Sequence, residues 1–236
     1  MSNSNSPVIT VGMPAYNEEA NIRKVVADSV AALEKQPEPW ELIVVDNHSS
    51  DGTVAAVKDM MAKDPRIRIV EHEANRFYSG SVASILRESR GEYIMIIDSD
   101  GQFTVEDLPV FMAKLRSGAD FVLGWRKHRN DPLFRLVASW IFKQMGRKWL
   151  GFNLHDLNCG IRMFNRKFAK SAVITAKINL ANPELFACAV KHGMKVDEVE
   201  VRHYARTAGK TCNTLSDSIK IFAKVRKHMM EIGIRR

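Results

Sequence analysis

Short apolar runs alternate with longer amphipathic segments along the first hundred residues. Four runs rich in aliphatic and β-branched residues predict buried strands at 8–11, 42–45, 66–70 and 93–97. Between them, apolar residues recur at helical spacing and predict helices over about 17–33, 53–63 and 79–90, the first capped by Asn17. Uniformly apolar strands that alternate with helices indicate a mostly parallel sheet covered on both faces. The fold class is therefore α/β, with a Rossmann-like, doubly wound arrangement.

The second half has a less regular pattern. Residues 121–123 predict a strand, Asp131 and Pro132 begin a helix to about 150, and Asn182 begins another to about 192. Apolar and polar residues alternate over 195–203, which favours an edge or antiparallel strand. An amphipathic helix is predicted over about 215–231. No repeat or linker divides the chain, so residues 1–236 are interpreted as one domain.

Three of the predicted strands end in polar or acidic loops, at 14–19, 46–51 and 98–102. The carboxyl ends of parallel strands meet at one edge of a sheet, where α/β proteins bind their ligands. The sequence therefore predicts that these three loops converge on one binding site.

The loop at 98–102 has the composition of a metal site. Asp98 and Asp100 follow a buried strand directly, and their carboxylates are hard oxygen ligands suited to Mg²⁺ or Mn²⁺, which can bridge a diphosphate. Gln102 offers another oxygen on the same loop. A solvated turn is the alternative interpretation, and the buried strand before the loop favours the metal.

The other two loops allow two interpretations each. Asp46 is placed to accept hydrogen bonds from a nucleobase or a ribose, but its loop also suits a helix amino terminus, which Ser50 or Asp51 would cap. Tyr16 is placed either to pack against a nucleobase or to fill the core.

These loops carry a family resemblance. The segments MPAYNEE (13–19), VVDNHSSDGT (44–53) and DSDGQ (98–102), in this order and spacing, resemble the family-2 inverting glycosyltransferases with the GT-A fold. The second half is similar to the dolichyl-phosphate mannose synthase branch of that family, and the segments concerned are GWR (124–126), Arg135 with Ser139, DLNCGIR (156–162) and HYARTAGKT (203–211). The resemblance extends over about residues 8–211. Ser99 and Trp125 depart from it, because the family more often has alanine and a small residue there.

The resemblance implies transfer of a sugar from a nucleotide-diphosphate sugar to a polyprenyl phosphate. It implies a nucleotide-sugar-binding half at 1–117 and an acceptor-binding half at 118–236. The residues that would bind the nucleoside are Pro14, Tyr16, Glu18 and Asp46. Those that would hold the metal are Asp98, Asp100 and Gln102. Those that would hold the acceptor phosphate are Arg126, Arg135 and Ser139, and those that would reach the donor diphosphate are Arg206 and Lys210.

Two further groups of residues bear on the acceptor. Arg135, Ser139 and Lys143 would line one face of a helix, as a phosphate cradle or as a basic stripe on a packed helix. Asp156 would be either an acid–base group or a structural acceptor. A phosphate acceptor needs no strong base, whereas a hydroxyl acceptor would need one, with Asp156 as the first choice. The predicted catalytic residues are Asp100, Asp156 and Arg206.

Composition adds a partner class and a location. The formal charge of +8 fits an anionic partner, which could be a diphosphate substrate, an anionic phospholipid surface or a nucleic acid. Residues 1–6 do not resemble a signal peptide, and no run reaches the ~20 apolar residues of a membrane span. We therefore expect a cytoplasmic protein, either free or bound peripherally at the cytoplasmic face of a membrane.

Three other functions are compatible with parts of the pattern. The same donor chemistry could serve a soluble acceptor such as a saccharide, a protein, a small molecule or a nucleic acid. A nucleotidyltransferase would also use a metal on an α/β sheet. A non-catalytic nucleic-acid binder is disfavoured because no recognition motif is present. A dinucleotide oxidoreductase is disfavoured because no Gly-x-Gly-x-x-Gly follows the first strand.

Overall fold

The computed structural model describes residues 6–127, 140, 144, 147, 153–175 and 180–205. In that part of the chain, seven strands form a single sheet in the order β3-β2-β1-β4-β6-β5-β7. The strands are β1 Ile9–Ala15, β2 Trp40–Asp46, β3 Ile67–Glu71, β4 Tyr93–Ile96, β5 Phe121–Trp125, β6 Arg162–Asn165 and β7 Val196–Glu200. The helices are α1 Glu19–Leu33, α2 Thr53–Met61, α3 Phe77–Glu88, α4 Leu108–Arg116, α5 Arg166–Ser171 and α6 Ala181–Lys191.

The predicted parallel arrangement of the first half is confirmed. Strands β3, β2, β1 and β4 are neighbours in that order, and every pair is parallel. Strand β1 is longer than predicted: it continues through Gly12 and Pro14 to Ala15, opposite Asp46. Gly12 lies where α3 crosses the sheet. A β-carbon at Gly12 would clash with the side chain of Ile85 in α3. The glycine thus permits close helix–sheet packing and does not end the strand.

The elements after β4 depart from the prediction at several places. Strand β6 and helices α4 and α5 were not predicted, and β6 runs antiparallel to both of its neighbours, β4 and β5. Strand β7 lies at the sheet edge as predicted, but the antiparallel alternative is wrong, since Phe121 pairs with Val196 in a parallel register. The helices predicted at 131–150 and 215–231 lie outside the described residues, apart from three isolated positions in the first.

An aromatic cluster holds the second half of the sheet together. The Phe121 ring lies 4.8 Å from Phe164, 5.1 Å from Phe168 and 5.3 Å from Phe186, measured between centroids. These rings join β5, β6, α5 and α6. Asn165 caps α5 by accepting a 2.8 Å hydrogen bond from the Phe168 amide. Packing and a side-chain cap therefore fix the short β6–α5 unit in place.

A buried carboxylate stabilises the edge of the sheet at which the parallel strands begin. Glu41 is 5% exposed and accepts hydrogen bonds from Thr10 Oγ1 at 2.7 Å, the Arg90 amide at 2.7 Å and Arg68 Nη2 at 2.9 Å. Arg68 also donates to the Glu88 carbonyl at 2.8 Å. This network ties β1, β2 and β3 to the α3–β4 turn, and the opposite edge is left for the polar loops.

Candidate active site

The loops after β1 and β2 are cross-linked through their backbones. The Asn17 amide donates to Ser49 Oγ at 2.9 Å, the Ser50 amide donates to Asn17 Oδ1 at 2.8 Å, and the Glu18 amide donates to Thr53 Oγ1 at 2.9 Å. Asn17 has a left-handed φ of 53° and is not the cap of α1, which was the prediction; its side chain bonds to the neighbouring loop instead. The predicted convergence of these two loops is confirmed.

Asp46, at the end of β2, has one carboxylate oxygen with no partner. The residue is 2% exposed, and its Oδ2 accepts the Ser49 amide at 3.0 Å. Its Oδ1 is buried and accepts no hydrogen bond from any residue in the described part of the chain. A buried acceptor without a donor costs about 1–3 kcal/mol. A donor group on a ligand would remove that cost, as the prediction of a base or ribose contact requires.

The other predicted nucleoside residues, Pro14, Tyr16 and Glu18, lie at the end of β1 and in the loop that follows it. Tyr16 is 46% exposed, so the alternative that it fills the core is wrong. The Pro14 carbonyl accepts a 2.8 Å hydrogen bond from Ser99 Oγ, which links the β1 loop to the β4 loop. Glu18 accepts a 2.7 Å hydrogen bond from Asn21 Nδ2. The position of these three residues fits the prediction, and their contact with a nucleoside stays a prediction.

Asp98 is enclosed on several sides. Tyr78 donates a 3.3 Å hydrogen bond to Asp98 Oδ1, and a β-carbon at Gly160 would clash with Asp98 Oδ2. Burial raises the pKa of the Asp98 carboxyl to about 6; the Arg162 guanidinium opposes the rise, and the negative charge of Asp100 adds to it. The carboxylates of Asp98 and Asp100 repel each other at a site with little water, and a bound cation would stabilise their negative charges.

The carboxylate pair fits a divalent cation that also binds the substrate. Within residues 6–127, 153–175 and 180–205, no group of three or more His, Cys, Asp and Glu side chains could hold a metal. A Mg²⁺-type site commonly takes only one or two protein carboxylates and completes its shell with substrate phosphates and water. Asp98 and Asp100 supply that number.

Gln102 also has a structural role. Its backbone amide donates to Asp100 Oδ1 at 3.1 Å, and its backbone carbonyl accepts the Tyr204 amide at 2.9 Å. Its side-chain Nε2 lies 3.3 Å from His203 Nε2. Gln102 thus joins the metal loop to the segment that follows β7. Its role as a metal ligand stays a prediction.

An ion pair joins Arg126 to Asp156, two residues that were predicted to serve the acceptor or the chemistry. Arg126 Nε donates to Asp156 Oδ2 at 2.6 Å and Arg126 Nη2 donates to Asp156 Oδ1 at 3.0 Å. Both side chains are largely buried, at 13% and 2% exposure. The positive charge of Arg126 also lowers the pKa of Asp98, so the pair lies within electrostatic reach of the carboxylate pair. Of the two interpretations of Asp156, this geometry favours the structural one.

Trp125 and His155 form a stacked pair beside this ion pair. Their ring centroids are 4.2 Å apart with an interplanar angle of 21°, and His155 Nδ1 contacts Glu198 Oε1. Trp125 is one of the two departures from the family pattern. The partner of Trp125 could not be predicted, because His155 is distant in sequence.

Sequence reasoning missed two residues near Asp98. Tyr78 and Arg162 contact each other, and Tyr78 contacts Asp98. Arg162 belongs to the DLNCGIR segment, which was the only available signal. Four predicted residues, Arg135, Ser139, Arg206 and Lys210, lie outside the described residues. Among the residues that are described, no helix is long and apolar enough to cross a membrane.

Known proteins resemble this chain over most of its length. It is 28% identical over 225 residues to the dodecaprenyl-phosphate galacturonate synthase of Rhizobium johnstonii, covering 92% of this chain and 66% of that protein. It is 29% identical over 216 residues to a dolichyl-phosphate beta-glucosyltransferase of Trichomonas vaginalis, covering 81% of this chain and 62% of that protein. The chain thus spans slightly less than two thirds of each relative.

Solved structures share the fold. Glucosyl-3-phosphoglycerate synthase from Mycobacterium tuberculosis, in complex with Mn²⁺, UDP and glucosyl-3-phosphoglycerate, matches with a TM-score of 0.71 at 20% identity, over 98% of this chain and 81% of that chain. A mannosyltransferase from Pyrobaculum calidifontis, in complex with GDP-Man and Mn²⁺, matches with a TM-score of 0.62 at 20% identity, over 87% of this chain and 58% of that chain. The α/β glycosyltransferase fold is therefore confirmed.

The family model described as Glycosyl transferase family 2 matches residues 10–172, which include all three cross-linked loops and the Arg126–Asp156 pair. This chain belongs to glycosyl transferase family 2.

Proposed function

We propose that this protein is an inverting, metal-dependent glycosyltransferase that moves a sugar from a nucleotide-diphosphate sugar to a polyprenyl phosphate. The relatives from Rhizobium johnstonii and Trichomonas vaginalis support this acceptor, since their names state a polyprenyl or dolichyl phosphate. In this proposal, residues 1–117 bind the donor and residues 118–236 bind the acceptor.

The donor would lie across the three loops. The unpartnered oxygen of Asp46 would accept a hydrogen bond from the base or ribose, and the exposed ring of Tyr16 would pack on the base. Asp98 and Asp100 would hold Mg²⁺ or Mn²⁺, with Gln102 as a further oxygen. Bound there, the ion would neutralise charge on the leaving nucleoside diphosphate. Arg206 and Lys210 would add positive charge beside the same diphosphate.

The observation that carries the acceptor proposal is the pairing of Asp156 with Arg126. An inverting transfer to a hydroxyl needs a carboxylate that takes up the hydroxyl proton. Both oxygens of Asp156 already accept hydrogen bonds from Arg126, and the pair is largely buried. An acceptor phosphate is an anion at neutral pH and needs no such base. Arg126, together with Arg135 and Ser139, would bind it and place its oxygen against the anomeric carbon, opposite the leaving group.

The proposed acceptor is part of a membrane, so the protein would work peripherally at an anionic cytoplasmic membrane face. The formal charge of +8 and the side chain of Trp140, which is 61% exposed, support this location.

The test is release of nucleoside diphosphate from a panel of uridine and guanosine diphosphate sugars, with Mn²⁺ or Mg²⁺, in the presence and absence of a polyprenyl phosphate. We expect release that requires both the metal and the lipid. Release that is indifferent to the lipid would move the proposal to a soluble acceptor. Release of pyrophosphate when a nucleoside triphosphate and a sugar 1-phosphate replace the nucleotide sugar would indicate a nucleotidyltransferase and would contradict the proposal.

A further inference from the structure

Arg162 is a charged residue inside the core. It lies at the start of β6 and is 1% exposed. Its Nη2 donates to the Tyr78 hydroxyl at 2.8 Å and to the Cys159 carbonyl at 3.0 Å, and its Nη1 donates to Asn182 Oδ1. Its Nε is buried without a partner in the described part of the chain. A guanidinium is expensive to bury, so its position needs an explanation beyond packing.

In the described part of the chain, no Asp or Glu side chain lies within ion-pairing distance of the Arg162 guanidinium. The positive charge of Arg162 nevertheless acts on Asp98. Among the groups that lower the pKa of the Asp98 carboxyl, Arg162 has the largest effect. Tyr78 stands between the two residues, with its ring 5.7 Å from the Arg162 guanidinium carbon.

The two hydrogen bonds that connect Arg162, Tyr78 and Asp98 each have a fixed direction. A guanidinium can only donate, so the Tyr78 oxygen accepts from Arg162. The single hydroxyl proton of Tyr78 is then left for Asp98 Oδ1, which lies 3.3 Å away. The result is a relay in which the positive charge polarises the hydroxyl, and the hydroxyl donates to the carboxylate.

We propose that Arg162 and Tyr78 are positioning residues that hold the Asp98 carboxylate, through the Arg162–Tyr78–Asp98 relay, in the orientation needed to bind a divalent cation. This inference rests on the proposed function, because it assumes that Asp98 holds a metal there. Hydrogen-bonding partners behind a metal ligand orient it, and their loss typically weakens metal binding about 10–100-fold. On the side of the other Asp98 oxygen, Gly160 leaves no room for a β-carbon, so the space beside the carboxylate is limited there as well.

A purely structural role would depend on other contacts. Arg162 also joins β6 to α6 through Asn182 and to its own loop through Cys159, and neither contact involves Tyr78. Removal of the Tyr78 hydroxyl therefore breaks the relay and leaves the buried charge, the aromatic ring and those two contacts in place. Tyr78→Phe is for this reason a sharper test than any change at Arg162, which would alter the core.

The experiment measures Mn²⁺ binding to the purified protein by electron paramagnetic resonance, with uridine or guanosine diphosphate present and no turnover. We expect Tyr78→Phe to raise the apparent Mn²⁺ dissociation constant by about tenfold. Binding of the nucleoside diphosphate without metal and the thermal midpoint should change little. Tyr93→Phe is the matched control, because it removes the same group at the start of β4, at the opposite end of that strand from Asp98.

The outcomes separate the relay from the proposed function. If wild-type protein binds Mn²⁺ and Tyr78→Phe binds it equally well, the relay is overturned and the metal site stands. If wild-type protein binds no Mn²⁺ with either nucleotide, the metal site is wrong and the relay falls with it. Equal weakening by Tyr78→Phe and Tyr93→Phe would also overturn the relay, because the effect would then be general.

Discussion

The proposed donor side and the proposed acceptor side of the site are built in different ways. On the donor side, the loops after β1 and β2 bond to each other through three backbone amides, and Ser99 ties the β4 loop to them. On the proposed acceptor side, the described contacts that we note join side chains: Arg126 pairs with Asp156, and Trp125 stacks on His155. Hydrogen bonds from backbone amides therefore organise the proposed donor loops, whereas contacts between side chains organise the proposed acceptor side. Substitutions should affect the two sides separately.

The largest expected effect is on the donor side, at the carboxylate pair. Asp100→Asn keeps the size of the side chain and removes a charged ligand, so we expect metal-dependent turnover to fall more than about 100-fold. The measurement is initial rate against Mn²⁺ concentration, with circular dichroism to confirm the fold.

Asp59→Asn is the control for this change, because Asp59 is exposed and pairs with Arg23 on the surface. Turnover that survives in Asp100→Asn would remove the metal assignment.

The next effect tests the point where the two sides meet. Gly160 belongs to the segment that carries Asp156, yet a β-carbon there would strike Asp98. We expect Gly160→Ala to reduce kcat by about 10- to 100-fold by displacing the Asp98 carboxylate.

Gly193→Ala is the matched control. Gly193 has a φ of 59° with open space around it, so alanine should cost about 1–2 kcal/mol of stability through backbone strain and leave kcat unchanged. If both variants lose kcat equally, stability and not the Asp98 contact explains the loss.

A smaller and more selective effect is expected on the acceptor side. Asp156→Asn removes the negative charge that pairs with Arg126 and keeps the size of the side chain. The acceptor KM should therefore rise about tenfold, in line with the roughly 1.5–3 kcal/mol of a charged hydrogen bond. The donor KM should stay within about twofold. Steady-state kinetics with each substrate varied in turn distinguishes the two. A collapse of kcat with both KM values unchanged would instead identify Asp156 as a base.

The smallest effect on activity is expected at the opposite edge of the sheet. Glu41→Gln weakens a buried network far from the loops, so we expect the free energy of unfolding to fall by about 1–3 kcal/mol with unchanged kinetics. Urea denaturation and the diphosphate-release assay measure these two quantities. The exposed Glu71, which pairs with Lys58, provides the control Glu71→Gln, with a change below about 0.5 kcal/mol. Lost activity in Glu41→Gln would mean that the two edges are coupled.

The sequence predicted the donor half better than the acceptor half for physical reasons. Strands β1 to β4 contain apolar runs that are easily recognised in the sequence, and their parallel order places the loops together. Strand β6 has four residues and begins with the buried Arg162, whose charge argues against a strand in any hydrophobic pattern. The direction of β7 depends on a long-range pairing that its alternation does not encode.

The site shows the same division. The placement of Asp46, Asp98 and Asp100 at the carboxyl ends of strands could be predicted, because each comes directly after an apolar run in the sequence. The pairing of Asp156 with Arg126, and the contact of Tyr78 with Asp98, could not be predicted, since both join segments distant in sequence. Asp156 consequently had two interpretations until its partner was known.

The antiparallel direction of β6 has a further consequence for how this fold can diversify. The chain leaves the sheet after Trp125 and returns at Arg162, and Leu123 lies opposite Arg162, so both ends of this excursion are anchored at the same edge. Lengthening such a closed excursion is cheap, because each doubling of its length costs only about 0.6 kcal/mol of closure entropy. Insertions between Trp125 and Arg162 should therefore cost little stability and should leave the pairing of β5 with β6 unchanged.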